Sequence, residues 1–223
     1  MDCDHRQLSH FKQLVAFAVP FLLLTIGSLS HDAQAQPPSF RIVGLQYSGT
    51  GCPQGSVAVV VAPDLRAFTL GFDQYVAKIP FPNDDTTQPP IRVDRKNCLV
   101  ILSLEYDPGW RFTIYTVNYE GNTQLQNSNV VAQQTSTYRF QGQTVGGRFD
   151  TQWRGPRAEP FLFTDTVTVP VFSPCGALRA LQINTSISVN NFTGQPVDAG
   201  LIAQDVIDGE LKETYTITWE RCL

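Results

Sequence analysis

The sequence predicts an all-β fold, an antiparallel β-sandwich or jelly-roll-like barrel of about ten short strands with two disulfides. Three observations carry this. Short β-branched and aromatic runs recur between Gly, Pro, Asn and Asp, and no sustained 3.6-residue apolar repeat interrupts them. Turn signals fall at the spacing expected of sandwich strands. An even set of cysteines, Cys52, Cys98, Cys175 and Cys222, remains once a leader is set aside.

The strands follow in order. Phe40–Leu45 is the first, and Ser56–Val61 and Arg66–Phe72 form a hairpin around Ala62–Leu65. Cys98–Tyr106 is apolar on both faces near its start, as a central buried strand should be. Trp110–Tyr119 follows the turn Asp107–Trp110, and then come Asn129–Gln134, Thr137–Gln141, Phe161–Val169 and Ala180–Val189. Leu201–Ile207 and Glu210–Trp219 close the chain, with Asp208-Gly209 between them as a two-residue hairpin signal. Alternation assigns faces to two of these strands. Leu181, Ile183, Ile187 and Val189 point to the core, opposite Gln182, Asn184, Ser186 and Ser188. Leu211, Tyr215, Ile217 and Trp219 point inward, opposite Thr214, Thr216 and Thr218. Two stretches read as irregular, Pro80–Asn97 and Gly142–Pro160.

The N-terminus reads as a secretory signal. Arg6 and Lys12 precede the apolar run Leu14–Gly27, and Ala33-Gln34-Ala35 has the small-x-small form of a cleavage site. The expected organisation is a cleaved signal peptide over 1–35 and one β-sandwich domain over 36–223. A spanning helix needs about 20 apolar residues. This run is shorter and broken by Pro20, so no membrane span is expected after cleavage. The destination is extracellular, or periplasmic in a Gram-negative cell. Cleavage removes His5, His10 and His31, every histidine in the chain, together with Cys3. It takes Lys plus Arg from 16 to 14 and Asp plus Glu from 20 to 17, a net charge of −3. A mildly acidic chain of this kind has no electrostatic footprint for nucleic acid.

The segment Ser48–Val57, SGTGCPQGSV, sets a cysteine among glycines like a reactive loop. A cysteine nucleophile wants a base, usually histidine, and none survives cleavage. Zinc needs close Cys/His spacing, whereas these cysteines lie tens of residues apart. Cys52 therefore reads as structural. Four cysteines allow three pairings. The sequential one closes two loops of nearly equal span, each worth about 4 kcal/mol in the chain-entropy model. In a simple meander the strands starting at Ser56 and Cys98 share a sheet end, which suits Cys52–Cys98, while the other pair stays undecided.

Without histidine, triads, His-ligated metals and imidazole catalysis drop out. Carboxylate chemistry survives, with Glu105, Asp107, Asp205, Asp208 and Glu210 near strand ends and turns. Solvation and turn geometry account for carboxylates at such positions, and nothing in their spacing selects a pair as a catalytic site would. Asn83-Asp84-Asp85 offers oxygen ligands for weak Ca2+ binding but lacks a self-contained loop pattern, and no other cofactor is expected. Trp110, Trp153 and Tyr115 are the candidate platforms for a sugar ring, with Asn190 and Asn191 among nearby amides. Asn184 and Asn191 head sequons, usable in a eukaryotic host.

GTGCPQGSV, APDLRAFTLGFDQY, RKNCLVILSLEYDPGWRFTI, YEG, QQTSTYRFQG, SPCGALRALQINTSISV and the closing YTITWERC together resemble the exported family called domain of unknown function 4360, found in bacteria, including cyanobacteria, and in fungi. The likeness runs from about Gly49 to Cys222. It implies a secreted, disulfide-containing β protein, favours pairing Cys52 with Cys98 and Cys175 with Cys222, and brings no catalytic residue. The expected function is a non-enzymatic exported module that binds a glycan or cell-envelope component. A carboxylate-dependent extracellular hydrolase and a structural or assembly protein are the alternatives.

Overall fold

The structure is a computed structural model that describes residues 39–81, 91–144, 146–168, 170–176, 179–195, 197–203 and 211–223. The expected leader and the triplet Asn83-Asp84-Asp85 lie outside the described residues. In chain order the strands are β1 (Phe40–Ser48), β2 (Val57–Val61), β3 (Ala67–Phe72), β4 (Val76–Ile79), β5 (Val93–Tyr106) and β6 (Trp110–Leu125). They continue as β7 (Val130–Phe140), β8 (Gly147–Arg154), β9 (Arg157–Thr166), β10 (Arg179–Asn191), β11 (Gly200–Ala203) and β12 (Leu211–Arg221).

Two antiparallel sheets face each other. One has the order β1-β5-β10-β7-β8. The other runs β2-β3-β12-β6-β11-β4, with β9 also pairing β6. The all-β sandwich expected from the sequence is thus present, with twelve strands among the described residues rather than about ten. The two runs expected over 129–134 and 137–141 are one strand, β7, because side chains from Gln134 to Tyr138 keep alternating through the polar interval. β8 lies inside a stretch expected to be irregular. Its charged outward residues, Arg148, Asp150 and Arg154, hide the inward series Phe149, Thr151 and Trp153. β11 and β12 do not pair with each other as the hairpin signal implied. Each pairs instead with the 16-residue β6, long enough to seat them end to end along one edge.

The core fills the space between the sheets. Leu181, Ile183, Ile187 and Val189 are fully buried, as alternation required. At one end Phe112 gathers Phe40, Tyr106, Phe140 and Trp219, with ring centroids 5.9, 5.7, 5.1 and 5.0 Å away. The Trp219 indole N–H donates to Leu65 O at 2.7 Å, which satisfies the polar edge of a buried ring.

Both disulfides form, Cys52–Cys98 and Cys175–Cys222, with Cα separations of 5.5 and 6.0 Å. The first follows from strand pairing rather than from a meander. β1 pairs with β5 up to Ser48↔Leu99, and Gly51 N then donates to Asn97 O at 2.9 Å, so Cys52 arrives beside Cys98. The second closes around the start of β6, where Cys222 N donates to Gly109 O and Gly176 N to Trp110 O.

Candidate functional site

The feature that stands out is the outer face of the five-stranded sheet. Because Ile183 and Thr185 point inward, Gln182 and Asn184 must point out. Register then lines up neighbours across four strands. Leu99 and Thr137 flank Asn184, and Arg148 lies beside Thr137. One step along, Arg139 faces Gln182, and its Nε donates to Gln182 Oε1 at 2.8 Å. These side chains line a depression of about 600 Å3. Its rim includes Gly147, where a Cβ would sit 1.9 Å from the Tyr138 ring. Only glycine lets β8 pass over that ring.

Beside the depression, Arg148 pairs with Asp150 at 2.5 Å. Partial burial pushes the Asp150 carboxyl up, but hydrogen bonds from Gln133, Arg148 and Thr135 outweigh it and hold it below the usual carboxylate range. The floor is therefore rich in amides, hydroxyls and guanidinium groups. Such a surface exchanges hydrogen bonds with water for bonds to a polar ligand, and gains specificity more than hydrophobic affinity.

The three expected aromatic platforms do not meet there. Trp110 is 4% exposed, lies in the core, and has the Arg221 guanidinium 4.7 Å over its ring. Trp153 packs between sheets against Phe161 at 4.3 Å and Phe163 at 6.4 Å. Tyr115 is exposed, but on the other sheet. Of the sequon asparagines, Asn184 is exposed in the depression. Asn191 is buried, its Oδ1 accepting from Gly194 N at 2.8 Å and its Nδ2 donating to Gln195 O at 2.9 Å. Asn190 is half-buried, and its amide reaches Ser188 Oγ at 3.4 Å.

The expected carboxylates are dispersed. Glu105 pairs with Arg41 at 2.9 Å on the outer face. Asp107 accepts from Ser39 N at 2.8 Å and Ser39 Oγ at 2.9 Å, holding the chain that leads into β1. Asp205, Asp208 and Glu210 lie outside the described residues. Among the described residues, no group of three or more His, Cys, Asp or Glu is placed to hold a metal ion. No helix among them is long and apolar enough to cross a membrane.

Two acidic residues escaped the sequence reading. Glu213 is fully buried between the sheets. Its signal was available, since it shares the odd positions of Tyr215, Ile217 and Trp219 on β12. Asp165 on β9 is half-buried, and its Oδ2 is shielded without a hydrogen-bond partner among the described residues. Burial first, and the Asp150 charge second, raise its carboxyl to about 6.

Residues 38–222 match the family described as Domain of unknown function (DUF4360). The chain belongs to DUF4360. The DUF4360 match covers both disulfides and every strand of the sandwich. An "Uncharacterized secreted protein" of Arthroderma benhamiae is 36% identical over 189 residues, spanning 83% of this chain and 73% of that protein. Consistent with that relative and its own two disulfides, this DUF4360 chain is secreted. Among solved structures, TmCBM61 in complex with beta-1,4-galactotriose aligns over 81% of this chain and 90% of its own, at 11% identity and a TM-score of 0.30. The enzymatically active domain of tailspike protein 4 from bacteriophage CBA120 aligns over 82% of this chain and 20% of its own, at 14% identity and a TM-score of 0.25. At those scores neither likeness bears on function.

Proposed function

We propose that the mature chain, residues 36–223 after removal of the 1–35 leader, is a non-enzymatic binding module whose outer five-stranded face takes a glycan or other cell-envelope component. The observation that carries this is the depression of about 600 Å3 with Gln182, Asn184, Thr137, Arg139 and Arg148 converging on it. Sugars offer rows of hydroxyls that both donate and accept. Amide, hydroxyl and guanidinium groups aligned by strand register answer them in kind. A sandwich tied by two disulfides holds those groups at fixed spacing outside the cell. The test is a screen of the disulfide-intact secreted protein against polysaccharides and envelope fractions. Retention on at least one glycan, lost in Gln182→Ala with Asn184→Ala, is expected. A screen blank at high protein concentration, or binding that ignores both substitutions, overturns the reading.

The hydrolase alternative keeps one specific observation. Asp165 is raised to about 6 while Asp150 nearby is lowered, the split used by acid–base carboxylate pairs. Neither lines the depression described above. Reducing-sugar release from a bound glycan that disappears in Asp165→Asn, with binding intact, would establish it.

A further inference from the structure

The same outer face has a charge that the chain as a whole does not. The full sequence carries 16 Lys and Arg against 20 Asp and Glu. Among the described residues pointing out from this sheet, the charged ones are Arg41, Arg95, Arg139, Arg148 and Arg154 against Glu105 and Asp150. The face is thus cationic by three charges on an acidic protein. We infer that it recognises a carboxylated polysaccharide, a polymer of uronic acid units, rather than a neutral glycan. This rests on the binding reading above and narrows it.

The pairing state of the arginines supports the choice. Arg41 and Arg148 have carboxylate partners, Glu105 and Asp150. Among the described residues, Arg139 bonds the neutral Gln182 amide, Arg154 the Ser128 carbonyl at 2.6 Å, and Arg95 Ser186 Oγ at 3.4 Å, none of them a carboxylate. All three are exposed, so each keeps free N–H donors. Arg139 and Arg148 are diagonal neighbours across β7 and β8, about 7–8 Å apart at the backbone. Like charges carried on neighbouring strands disfavour each other, and an anion bound between them relieves that. The Arg148–Asp150 pair is a surface pair, its partners 62% and 35% exposed, and such a pair is exchanged at little cost. A sugar carboxylate fits that demand, because guanidinium binds carboxylate through two parallel N–H donors. The neighbouring Gln182, Asn184 and Thr137 are left for ring hydroxyls.

Nucleic acid is the other polyanion to weigh. Single strands are held by aromatic side chains on which bases stack. Of the exposed aromatics among the described residues, Tyr115 is on the other sheet and Phe192 follows the end of β10, and neither lines the depression. Charge complementarity and the amide row together favour the acidic sugar.

The experiment compares polygalacturonate with its fully methyl-esterified form, which keeps the backbone and removes the charge. The disulfide-intact protein should bind the acid form at least about ten-fold more tightly, and rising salt should weaken binding progressively. Arg139→Gln with Arg148→Gln should abolish that preference, while Arg41→Gln, paired at the sheet margin, should change it less than about two-fold. Equal binding to both forms overturns the acidic inference and leaves the glycan reading standing. Binding to neither form, with a neutral polysaccharide retained in the wider screen, does the same. No binding to any polysaccharide or envelope fraction removes both. Equal binding to single-stranded DNA and dextran sulfate would show a generic polyanion surface and overturn the sugar assignment.

Discussion

Thr185 on β10 donates its hydroxyl to Glu213 Oε1 on β12 at 2.8 Å, a hydrogen bond that crosses the sandwich from one sheet to the other at full burial. Gln134 Nε2 on β7 reaches the same oxygen at 2.9 Å, and Tyr215 OH donates to Glu213 Oε2 at 2.7 Å. A carboxyl group survives inside a β core only when its oxygens are satisfied in this way. The cluster also fixes which faces meet. A one-residue slip of β12 would turn Glu213 outward and strand the donors on the opposing sheet.

Glu213→Ala should therefore cost about 3–5 kcal/mol, since it leaves buried donors without an acceptor and opens a void. Glu213→Gln keeps the shape but points an N–H2 at groups that already donate, and should cost about 1–3 kcal/mol. Urea denaturation of the oxidised protein reads both. A Glu213→Ala variant as stable as the parent would mean that the cluster contributes nothing.

The same burial predicts behaviour in alkali. Desolvation first, and the Glu213 charge second, raise the hydroxyls of Tyr75, Tyr119 and Tyr215 well above the usual phenol range, and burial pushes Tyr138 up to about 12. Each folded pKa exceeds its unfolded value, so above pH 10 the unfolded chain releases more protons and stability falls as pH rises. Absorbance at alkaline pH should show these four ionising only in step with loss of structure. Smooth titration of these four before unfolding would contradict the burial.

Much of this fold was legible because alternation is a local signal. The β10 pattern of Leu181 to Val189 needed only parity, and so did the outward Gln182 and Asn184 of the depression. Pairing was not legible in the same way. Nothing between Asp208 and Leu211 reports that β11 and β12 both seat on β6, because that depends on the length of a strand nearly ninety residues earlier. Aromatic type also misleads about place. Trp110 and Trp153 carry the same ring a sugar platform would use, yet burial of that area holds both in or against the core. Glu213 was missed for the opposite reason, since a charged residue type overrode a correct parity.

Gly51 shows what the glycine-rich cysteine segment is for. A Cβ there would lie 2.3 Å from the Tyr75 ring, which is itself fully buried. Glycine is required because the loop carrying Cys52 packs flat on that ring. Gly51→Ala should push Tyr75 into a closed core and destabilise by about 1–3 kcal/mol, the range for overpacking. Gly55, beside open space though at positive φ, should cost less when changed to Asn, which tolerates that backbone region. Thermal melts of the two variants with both disulfides intact make the comparison, and equal losses would refute the packing explanation.

Asp165 gives the last prediction, and its sign is opposite to that of a paired carboxylate. Burial and then the Asp150 charge raise it to about 6, above the value it has in the unfolded chain. Between those two pKa values the folded protein holds the extra proton, so this group's contribution is favourable below about pH 4 and is lost as pH rises through about 6. Because the side chain is partly open to solvent, the swing should be of order 1 kcal/mol after screening rather than the full value the shift implies. Asp165→Asn cannot ionise and should be more stable than the parent at pH 7, with the advantage shrinking towards zero near pH 4. Asp150→Asn should reduce the same pH dependence, because it removes the charge that reinforces the effect of burial. Urea midpoints at a series of pH values measure the difference directly. A difference that stays constant across that window would show that Asp165 titrates normally.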